Sequence, residues 1–243
     1  QEFYRELNDY STESYVIPFF GRLNYTLLNR YLLTLTVRND GSSRFSPDNK
    51  WGLFPSAAFA WKINEEEFMQ DQNLFSDLKL RLGYGVTGQQ NLGSGDYPWM
   101  GRYSYSQAGA NYYFGDQKIS LIRPVAYDEN LKWEETTTVN AGLDFGFLNN
   151  RISGTFDVYS RTTSDLLNTV GIAAGTNFSN QLLTNVGELT NKGVEFSITG
   201  RPIVSKDLNW NLSYNITYNK NEITKLTITD DPNYVGVIFG GID

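Results

Sequence analysis

The sequence predicts an all-β protein, an antiparallel up-and-down meander of about eight strands that forms the wall of a transmembrane β-barrel. Three observations predict this fold. Apolar and polar residues alternate in about eight segments, the apolar positions carry no charge, and the connections are alternately short and long. Because successive side chains of a strand point to opposite faces, this alternation gives each strand one apolar and one polar face.

The composition excludes several classes of function. The 243 residues include no cysteine and no histidine, which rules out disulfides, thiol nucleophiles, Ser-His-Asp triads and nearly all catalytic zinc sites. The net charge of −7 argues against a nucleic-acid partner, since phosphate contacts need clustered Lys and Arg. No apolar run approaches the roughly 18 residues of a membrane helix. We therefore expect no enzymatic activity, no cofactor and no bound metal.

The alternating segments define the predicted strands and leave connections of two kinds. The strands are expected at about residues 15–27, 31–38, 53–62, 78–86, 139–147, 152–160, 194–200 and 208–219. The shorter connections are residues 28–30, 64–76, 148–150 and 201–207. The mostly longer ones are residues 39–47, 87–131, 161–183 and the tail after Asn221. In an up-and-down meander alternate connections lie at opposite ends, so one end of the sheet is trimmed and the other is elaborated.

The first four strands follow one another closely. Residues 28–30 leave room only for a tight turn between the first two strands. In the third strand Pro55 is in phase with the apolar residues, and because proline removes a ladder donor we expect a bulge or local break there. In the fourth strand Gly83, Gly85 and Gly88 match the glycine spacing of a dinucleotide-binding turn. No helix can begin after them, so we expect Gly83 and Gly85 to keep the polar wall thin.

The second half contains the longest connection and the clearest hairpins. Residues 87–131 are rich in Gly, Tyr, Asn and Ser. A loop of that length is uncommon in a compact domain and is usually functional or mobile. The fifth and sixth strands turn at residues 148–150. The last two strands form a hairpin, and we place its turn at residues 200–207.

The polar faces carry all the charges of the predicted strands, and none lies on the apolar faces. We expect seven of these charged residues to face the lumen of the barrel. They are Arg22, Arg38, Lys79, Arg81, Asp144, Asp157 and Glu195.

Two architectures could bury or cover such apolar faces. One is a soluble β-sandwich, as in carbohydrate-binding or adhesin-like domains, whose apolar faces meet in a dry core. The other is a transmembrane barrel with a lipid-facing band. Segments of about 9–11 residues suit the height of that band, and aromatic residues near segment ends, such as Tyr31, Trp61 and Trp210, suit its interfacial girdles. The short and long connections also favour the barrel.

Four segments resemble a known family. They are RYLLTLTVRNDGSSRF (residues 30–45), KWGLFPSAAFAWKI (50–63), SDLKLRLGYGVTGQQ (76–90) and NVGELTNKGVEFSITGRPI (185–203), followed by WNLSYNITYNKNEI. They are similar to the barrel of SusC/RagA-type TonB-dependent transporters. The resemblance implies import of oligosaccharide or peptide across the outer membrane of a Bacteroidetes-type Gram-negative cell. It also implies three partners: TonB, which drives import, outer-membrane lipid, and a SusD-like surface lipoprotein that closes the extracellular mouth as a lid.

The chain departs from the family pattern in extent. The family's plug domain and TonB-box region have no counterpart in these residues, and large outer-membrane transporters use 22 strands around a plugged lumen. The eight predicted strands are therefore expected to be an internal segment of such a barrel, with TonB contacted through regions absent here. A complete eight-stranded outer-membrane barrel is the alternative.

The candidate substrate-binding surface lies in the long connection, which we expect to be extracellular. Aromatic rings can stack on sugars or pack against peptide side chains, while Arg and Asn can bind polar groups. The candidates are Trp99, Arg102, Tyr103, Tyr105, Asn111, Tyr112 and Tyr113. The acidic residues Glu65–Glu67 and Glu134–Glu135 could pair as in glycosidases, but we expect them to be solvated charges without a catalytic role.

Overall fold

The computed structural model describes residues 11–93, 96–105, 111–173 and 175–225. In this part of the chain it contains fourteen strands and two single-turn 3-10 helices, Ile63–Glu65 and Glu67–Met69. No helix among these residues is long and apolar enough to cross a membrane. The strands are β1 (Val16–Leu27), β2 (Tyr31–Ser42), β3 (Trp51–Lys62), β4 (Phe75–Gln89), β5 (Arg102–Tyr105), β6 (Asn111–Phe114), β7 (Gln117–Ser120), β8 (Ile122–Val125), β9 (Glu134–Phe147), β10 (Ile152–Ser164), β11 (Leu167–Gly171), β12 (Gln181–Asn185), β13 (Glu188–Val204) and β14 (Asn209–Lys225).

Eight strands form one antiparallel sheet in the order β1-β2-β3-β4-β9-β10-β13-β14. The remaining six form three two-stranded ribbons, β5–β8, β6–β7 and β11–β12, within the two longest connections. The predicted all-β antiparallel meander is therefore confirmed. Across the described residues β1 pairs only with β2 and β14 only with β13. The sheet is open, so the alternative of a closed eight-stranded barrel is wrong.

Several strands extend beyond the predicted segments, mainly towards the long connections. β9 begins at Glu134 and β10 continues to Ser164. The added residues include Thr136, Thr137 and Thr163, which are polar on both faces, so no alternation marks them in the sequence. The ladder continues through them because strand pairing needs only backbone N–H and C=O groups.

A single register aligns the apolar positions across all eight strands. From β1 to β14, successive partners in one row are Tyr25, Leu33, Phe59, Leu82, Ala141, Val158, Val194 and Tyr218. The neighbouring row, on the opposite face, is Asn24, Thr34, Ala58, Gly83, Asn140, Tyr159, Gly193 and Asn219. The sheet thus has one continuous apolar face and one continuous polar face.

The apolar face is the more exposed of the two. Leu82, Val139 and Phe156 expose 45%, 53% and 43% of their surface. On the polar face, the side chains of Arg81 and Asp144 expose only 32% and 17%. This order is the reverse of that in a soluble sheet, where apolar side chains are the buried ones. No second sheet of the described residues covers the apolar face, so the soluble β-sandwich alternative is wrong.

Pro55 interrupts the ladder on one side only. It pairs with Val37 of β2 without a register shift, whereas the pairing of β3 with β4 ends at Ser56 and Gly85. The expected local break is found between β3 and β4. Beyond it the ring of Phe54 lies where a side chain at Gly88 would have to be.

The hairpin between β13 and β14 is tighter than predicted. Its turn is confined to the four residues from Ser205 to Leu208, where the Ser205 backbone N–H donates to the Leu208 carbonyl (2.9 Å). The turn was expected to begin at Gly200, but β13 continues past it. Leu212 pairs with Gly200 and Trp210 with Ile203, so a bulge falls between Gly200 and Ile203. The proline at position 202 lies within this bulge, where a missing ladder donor is tolerated.

A small hydrophobic core closes the base of the long connections. It consists of Phe45, Phe54, Leu92, Leu131 and Trp133, and we call it the loop-base core. The Trp133 ring lies 5.1 Å from that of Phe45 and 5.4 Å from that of Phe54, centroid to centroid. Its Nε1–H donates to the Lys50 carbonyl (3.1 Å). Because Leu92 and Leu131 lie near opposite ends of the β4–β9 connection, this core holds both ends together.

At the short-turn end, Glu66 is buried, with 8% of its surface exposed. Its carboxylate accepts hydrogen bonds from Tyr31 Oη (2.5 Å), Trp61 Nε1 (2.9 Å) and Arg30 Nη1 (2.8 Å). The rings of Tyr31 and Trp61, which are direct cross-strand partners, stack with centroids 6.4 Å apart. These donors, first Tyr31 and then Trp61, favour the ionised form and hold the pKa of Glu66 below its usual value.

The expectation of a solvated charge is therefore wrong for Glu66. Glu65 and Glu67 on either side of it are exposed, as expected. Glu134 is half-buried, and its carboxylate accepts a long hydrogen bond from the Leu167 backbone N–H (3.4 Å). The sequence does not distinguish these carboxylates, because only the fold brings Tyr31 and Trp61 to Glu66.

The first prediction concerns the Glu66 carboxylate. Since its folded-state pKa is depressed, its contribution to stability is present above the unfolded value of about 4.5 and is lost as the pH falls through the lower folded-state value. We expect Glu66→Gln to lower the thermal unfolding midpoint of the intact protein at pH 7 and to have a smaller effect at pH 3. Glu65→Gln, which changes an exposed neighbour, should leave the unfolding midpoint unchanged at both pH values. An equal loss at both pH values would contradict the ionised role of Glu66.

The second prediction concerns the loop-base core. Trp133→Ala removes the ring that packs on Phe45 and Phe54, and large-to-small substitutions of buried aromatic residues cost about 3–5 kcal/mol. We expect the β4–β9 connection to be cleaved faster in limited proteolysis while the sheet stays protected. Tyr113→Ala, which truncates an exposed aromatic residue of β6, is the matched control. Equal cleavage rates for the two variants would show that Trp133 does not anchor the connection.

Candidate functional site

The register places all seven predicted lumen-facing residues on the polar face of the sheet. Arg81, Asp157 and Glu195 belong to one row, with Gly142 between the first two. Lys79 and Asp144 are direct partners in a neighbouring row. The other two lie nearer the β1 edge. Arg22 opposes Thr36, and Arg38 opposes Phe20 and Phe54.

Four of these residues form an ion network across β4, β9 and β10. Asp144 is 2.8 Å from both Lys79 and Arg81, and Arg81 is also 2.8 Å from Asp157. The four formal charges cancel within the network. The side chains are one-sixth to one-third exposed, so the pairs are better shielded from water than surface pairs, whose contribution is usually below about 1 kcal/mol. Glu195, opposite Asp157 on β13, adds one negative charge beside it.

Gly142 gives the network its geometry. Arg81 and Asp157 lie on strands that flank β9, and each opposes Gly142. A Cβ at this glycine would overlap the Asp157 carboxylate and the Arg81 guanidinium. The missing side chain therefore lets the guanidinium reach across a whole strand to its second carboxylate.

Small residues leave a shallow depression beside the network on the same face. It has a volume of about 450 Å³ and includes Ser56, Gly83, Gly85, Thr138 and the longer Arg22 at its edge. A Cβ at Gly83 would overlap the Asn140 amide. The dinucleotide-like glycines lie wholly within β4. Here they thin the wall and begin no phosphate-binding turn.

The structure does not bring the seven predicted substrate-binding residues together. Trp99 packs against the loop-base core, and its Nε1 is buried without a hydrogen-bond partner among the described residues. Arg102, Tyr103 and Tyr105 lie on β5, where the Tyr103 side chain is 72% exposed. Parts of the predicted 87–131 loop, residues 94–95 and 106–110, and the side chain of Tyr105 lie outside the described residues.

The other three candidates belong to a separate ribbon. Asn111, Tyr112 and Tyr113 lie on β6, which pairs only with β7 in the described part of the chain. Tyr112 and Tyr113 are exposed, and the ring of Tyr112 lies 4.8 Å from that of Phe114. The Asn111 side-chain oxygen accepts a hydrogen bond from Ser120 Oγ (3.3 Å). In the described part of the chain, this ribbon offers exposed aromatic surface.

Sequence reasoning missed a cavity between the ribbons β5–β8 and β11–β12. It has a volume of about 440 Å³, and we call it the arginine cavity because Arg102 and Arg123 line it together with Ser104, Phe178 and Gln181. A second cavity of about 590 Å³, the acidic cavity, is lined by Asp128 and Glu129 and shares Phe178 with the first. Arg123 and Phe178 were missed because only the tertiary arrangement brings them beside Arg102.

Side-chain hydrogen bonds tie the walls of these cavities together. Asn177 Nδ2 donates to the Tyr127 carbonyl (3.1 Å), and Thr184 Oγ1 donates to the Asp128 carboxylate (2.5 Å). Asn185 Nδ2 donates to the Lys132 carbonyl (3.0 Å) and the Asp165 carbonyl (2.8 Å). Two connections distant in sequence are thus held at a defined spacing.

The cavities differ from a third depression on the apolar face. That depression, of about 590 Å³, lies where Ala57 and Ala141 leave space between Phe59, Leu82 and Val139. It offers almost no polar group that could orient a ligand, and specific small-molecule sites need a few such groups. The arginine and acidic cavities are therefore the candidate ligand sites.

Comparisons with known proteins agree with this architecture. The family model described as "TonB dependent receptor-like, beta-barrel" matches residues 3–242. TonB-dependent receptor SusC of Bacteroides thetaiotaomicron is 60% identical over 230 residues, which are 95% of this chain and 23% of that protein. TonB-dependent receptor P26 of Formosa agariphila is 41% identical over 211 residues, 87% of this chain and 21% of that protein.

Solved structures show the same likeness. The RagAB peptide transporter matches with a TM-score of 0.74 and 35% identity, over 88% of this chain and 23% of that one. The RagAB peptide importer in its open-open state matches with a TM-score of 0.76 and 35% identity, over 90% of this chain and 24% of that one. The chain thus spans less than a quarter of the length of these relatives. It belongs to the TonB-dependent receptor-like β-barrel family and is SusC/RagA-like within it.

Proposed function

We propose that the protein containing this chain is an outer-membrane importer of oligosaccharide or peptide, driven by TonB and closed outside by a SusD-like lipoprotein. This chain contributes a segment of the barrel wall and extracellular connections. The observation that carries the proposal is the inverted exposure of the sheet, whose apolar face is open and whose charged face is shielded. Lipid solvates such an apolar face, and water solvates it poorly.

The dimensions of the sheet support its placement in a membrane. Residues 139–147 of β9, at about 3.3 Å each and a tilt of about 40°, cover roughly 23 Å, close to the height of the apolar band of outer-membrane barrels. Aromatic side chains gather at the short-turn end, where Tyr31 stacks on Trp61 and the rings of Phe75 and Phe147 lie 4.9 Å apart. Such belts mark membrane interfaces, and we assign this end to the periplasm.

The polar face would then line the lumen. We propose that the seven predicted lumen-facing residues, with the depression around Gly83 and Gly85, contact the plug or the transport path. The ribbons would lie at the extracellular mouth, beneath the lid. The relatives supply the cargo classes: the RagAB structures are named for peptide transport, and the SusC/RagA resemblance adds oligosaccharide. The proposed role requires no chemistry on the cargo.

The third prediction tests this function. The intact gene product is expected in the outer-membrane fraction, extractable only with detergent, and its cargo uptake is expected to stop when TonB is deleted from the host. Deleting an unrelated inner-membrane protein is the control. Recovery of the protein in the soluble fraction, or uptake that persists without TonB, would overturn the proposal.

The fourth prediction concerns Gly142. Gly142→Ala forces the Arg81 guanidinium and the Asp157 carboxylate apart, and overpacking of this kind costs about 1–3 kcal/mol. We expect a lower thermal unfolding midpoint for the intact protein in detergent. Gly85→Ala, on the same face of β4, is the matched control because its Cβ would meet only Ser56 at an ordinary 3.4 Å. Equal midpoints for the two variants would mean that the network tolerates a side chain at Gly142.

A further inference from the structure

The arginine cavity carries an inference about the chemistry of its ligand, which rests on the proposed import function. Ser104 of β5 is the direct partner of Arg123 of β8, and Arg102 is the partner of Val125. Since every second residue of a strand points to the same face, Arg102, Ser104 and Arg123 share one face of this ribbon. Diagonal neighbours across such a pair lie about 7–8 Å apart or closer. Two guanidinium groups therefore approach the cavity from the same side.

Neither arginine is neutralised by the residues that the structure describes. Neighbouring cations at the same end of the sheet are paired: Arg44 lies 2.9 Å from Asp96, and Lys132 lies 2.7 Å from Asp165. Among the described residues, Arg102 and Arg123 have no carboxylate within 4.0 Å and no side-chain hydrogen bond. A guanidinium carries five N–H donors in a planar fork that matches a carboxylate. As lined by the described residues, the cavity thus presents two sets of donors and no carboxylate.

The opposite wall is polar and is held in place. Gln181, with the hydroxyls of Thr169 and Ser179, faces the arginines from the β11–β12 side. The bonds from Asn177 to Tyr127 and from Thr184 to Asp128 fix this ribbon on the segment that leads from β8 to β9. The cavity volume of about 440 Å³ lies within the range of small-ligand sites, which is roughly 300–1,000 Å³.

The acidic cavity restricts the charge of the ligand. Asp128 and Glu129 lie just beyond Phe178, which lines both cavities and whose ring stacks on Tyr127 at 6.3 Å. A polyanion that filled both cavities would place negative groups beside these carboxylates. A ligand with one anionic end, and an uncharged or cationic remainder lying past the Phe178 ring, avoids that repulsion.

We propose that the arginine cavity binds a single carboxylate at one end of the incoming cargo, with Arg102 and Arg123 as its donors. The carboxylate is either that of a uronic acid at the end of an oligosaccharide or the C-terminus of a short peptide. Arg–carboxylate pairs add both energy and geometric selectivity. The cavity therefore selects cargo by its charge at the mouth of the barrel, before any plug movement.

Isothermal titration calorimetry on the intact protein in detergent tests this assignment. The probes are a trisaccharide whose only charge is one terminal glucuronate, the methyl ester of that trisaccharide, trialanine, and the C-terminal amide of trialanine. We expect one of the two free acids to bind about 10- to 100-fold more tightly than its neutral counterpart, as loss of a charge-assisted hydrogen bond implies. The acid that shows this preference identifies the source of the carboxylate.

The variant Arg102→Gln/Arg123→Gln should bring the affinity of that acid down to that of its ester or amide. Lys118→Gln, which removes a charge from the exposed strand β7, should retain the preference. The inference is overturned if the double variant keeps the wild-type unfolding midpoint and still prefers the acid. It is also overturned if the wild-type protein binds the acid and the neutral probe equally, or binds neither detectably. Outer-membrane location and TonB-dependent uptake are measured separately. If they hold while the acid preference is absent, only this inference fails.

Discussion

One register, kept through eight strands, is the constraint on which the rest of this structure depends. The row from Tyr25 to Tyr218 stays apolar at every crossing. A slip of one residue in any strand would turn its polar set to the apolar face. For β4 it would expose Lys79 and Arg81 to lipid, where a charge at mid-depth costs about 2–4 kcal/mol. The alternation of apolar and polar residues therefore specifies the strand pairing, although no buried hydrophobic core covers the apolar face of the described sheet.

The polar face is subject to a different constraint, because its charged side chains are largely shielded from water. The network of Lys79, Arg81, Asp144 and Asp157 satisfies this constraint because its two positive and two negative charges are paired with one another. Removing one member would leave a partner shielded and unpaired, which is more costly than the pair is favourable. Gly142 shows that backbone space is part of this arrangement, because the arginine reaches its second carboxylate only over a residue without a side chain.

The sequence predicts those parts of the fold whose two faces differ. Alternation from Leu78 to Val86 marks the centre of β4, but nothing marks the ends of β9 and β10, where threonines lie on both faces and pairing is carried by the backbone. Glu66 could not be distinguished from Glu65, since its donors come from strands across the turn. Arg102 could be named as a candidate from its type. Arg123 and Phe178 could not, because their role arises from the packing of two ribbons distant in sequence.

The loop-base core has a consequence for how such proteins diversify. In this core Leu92 and Leu131 pack together with Phe45, Phe54 and Trp133. The chain between the two leucines therefore begins and ends at the same packed cluster. Each doubling of the length of a loop with fixed ends costs only about 0.6 kcal/mol. Insertions or deletions between the two leucines that keep Trp99 packed on this core would leave the wall beneath undisturbed. The fold thus separates the wall, whose strand pairing has to be kept, from a connection whose length and sequence can change without altering that pairing.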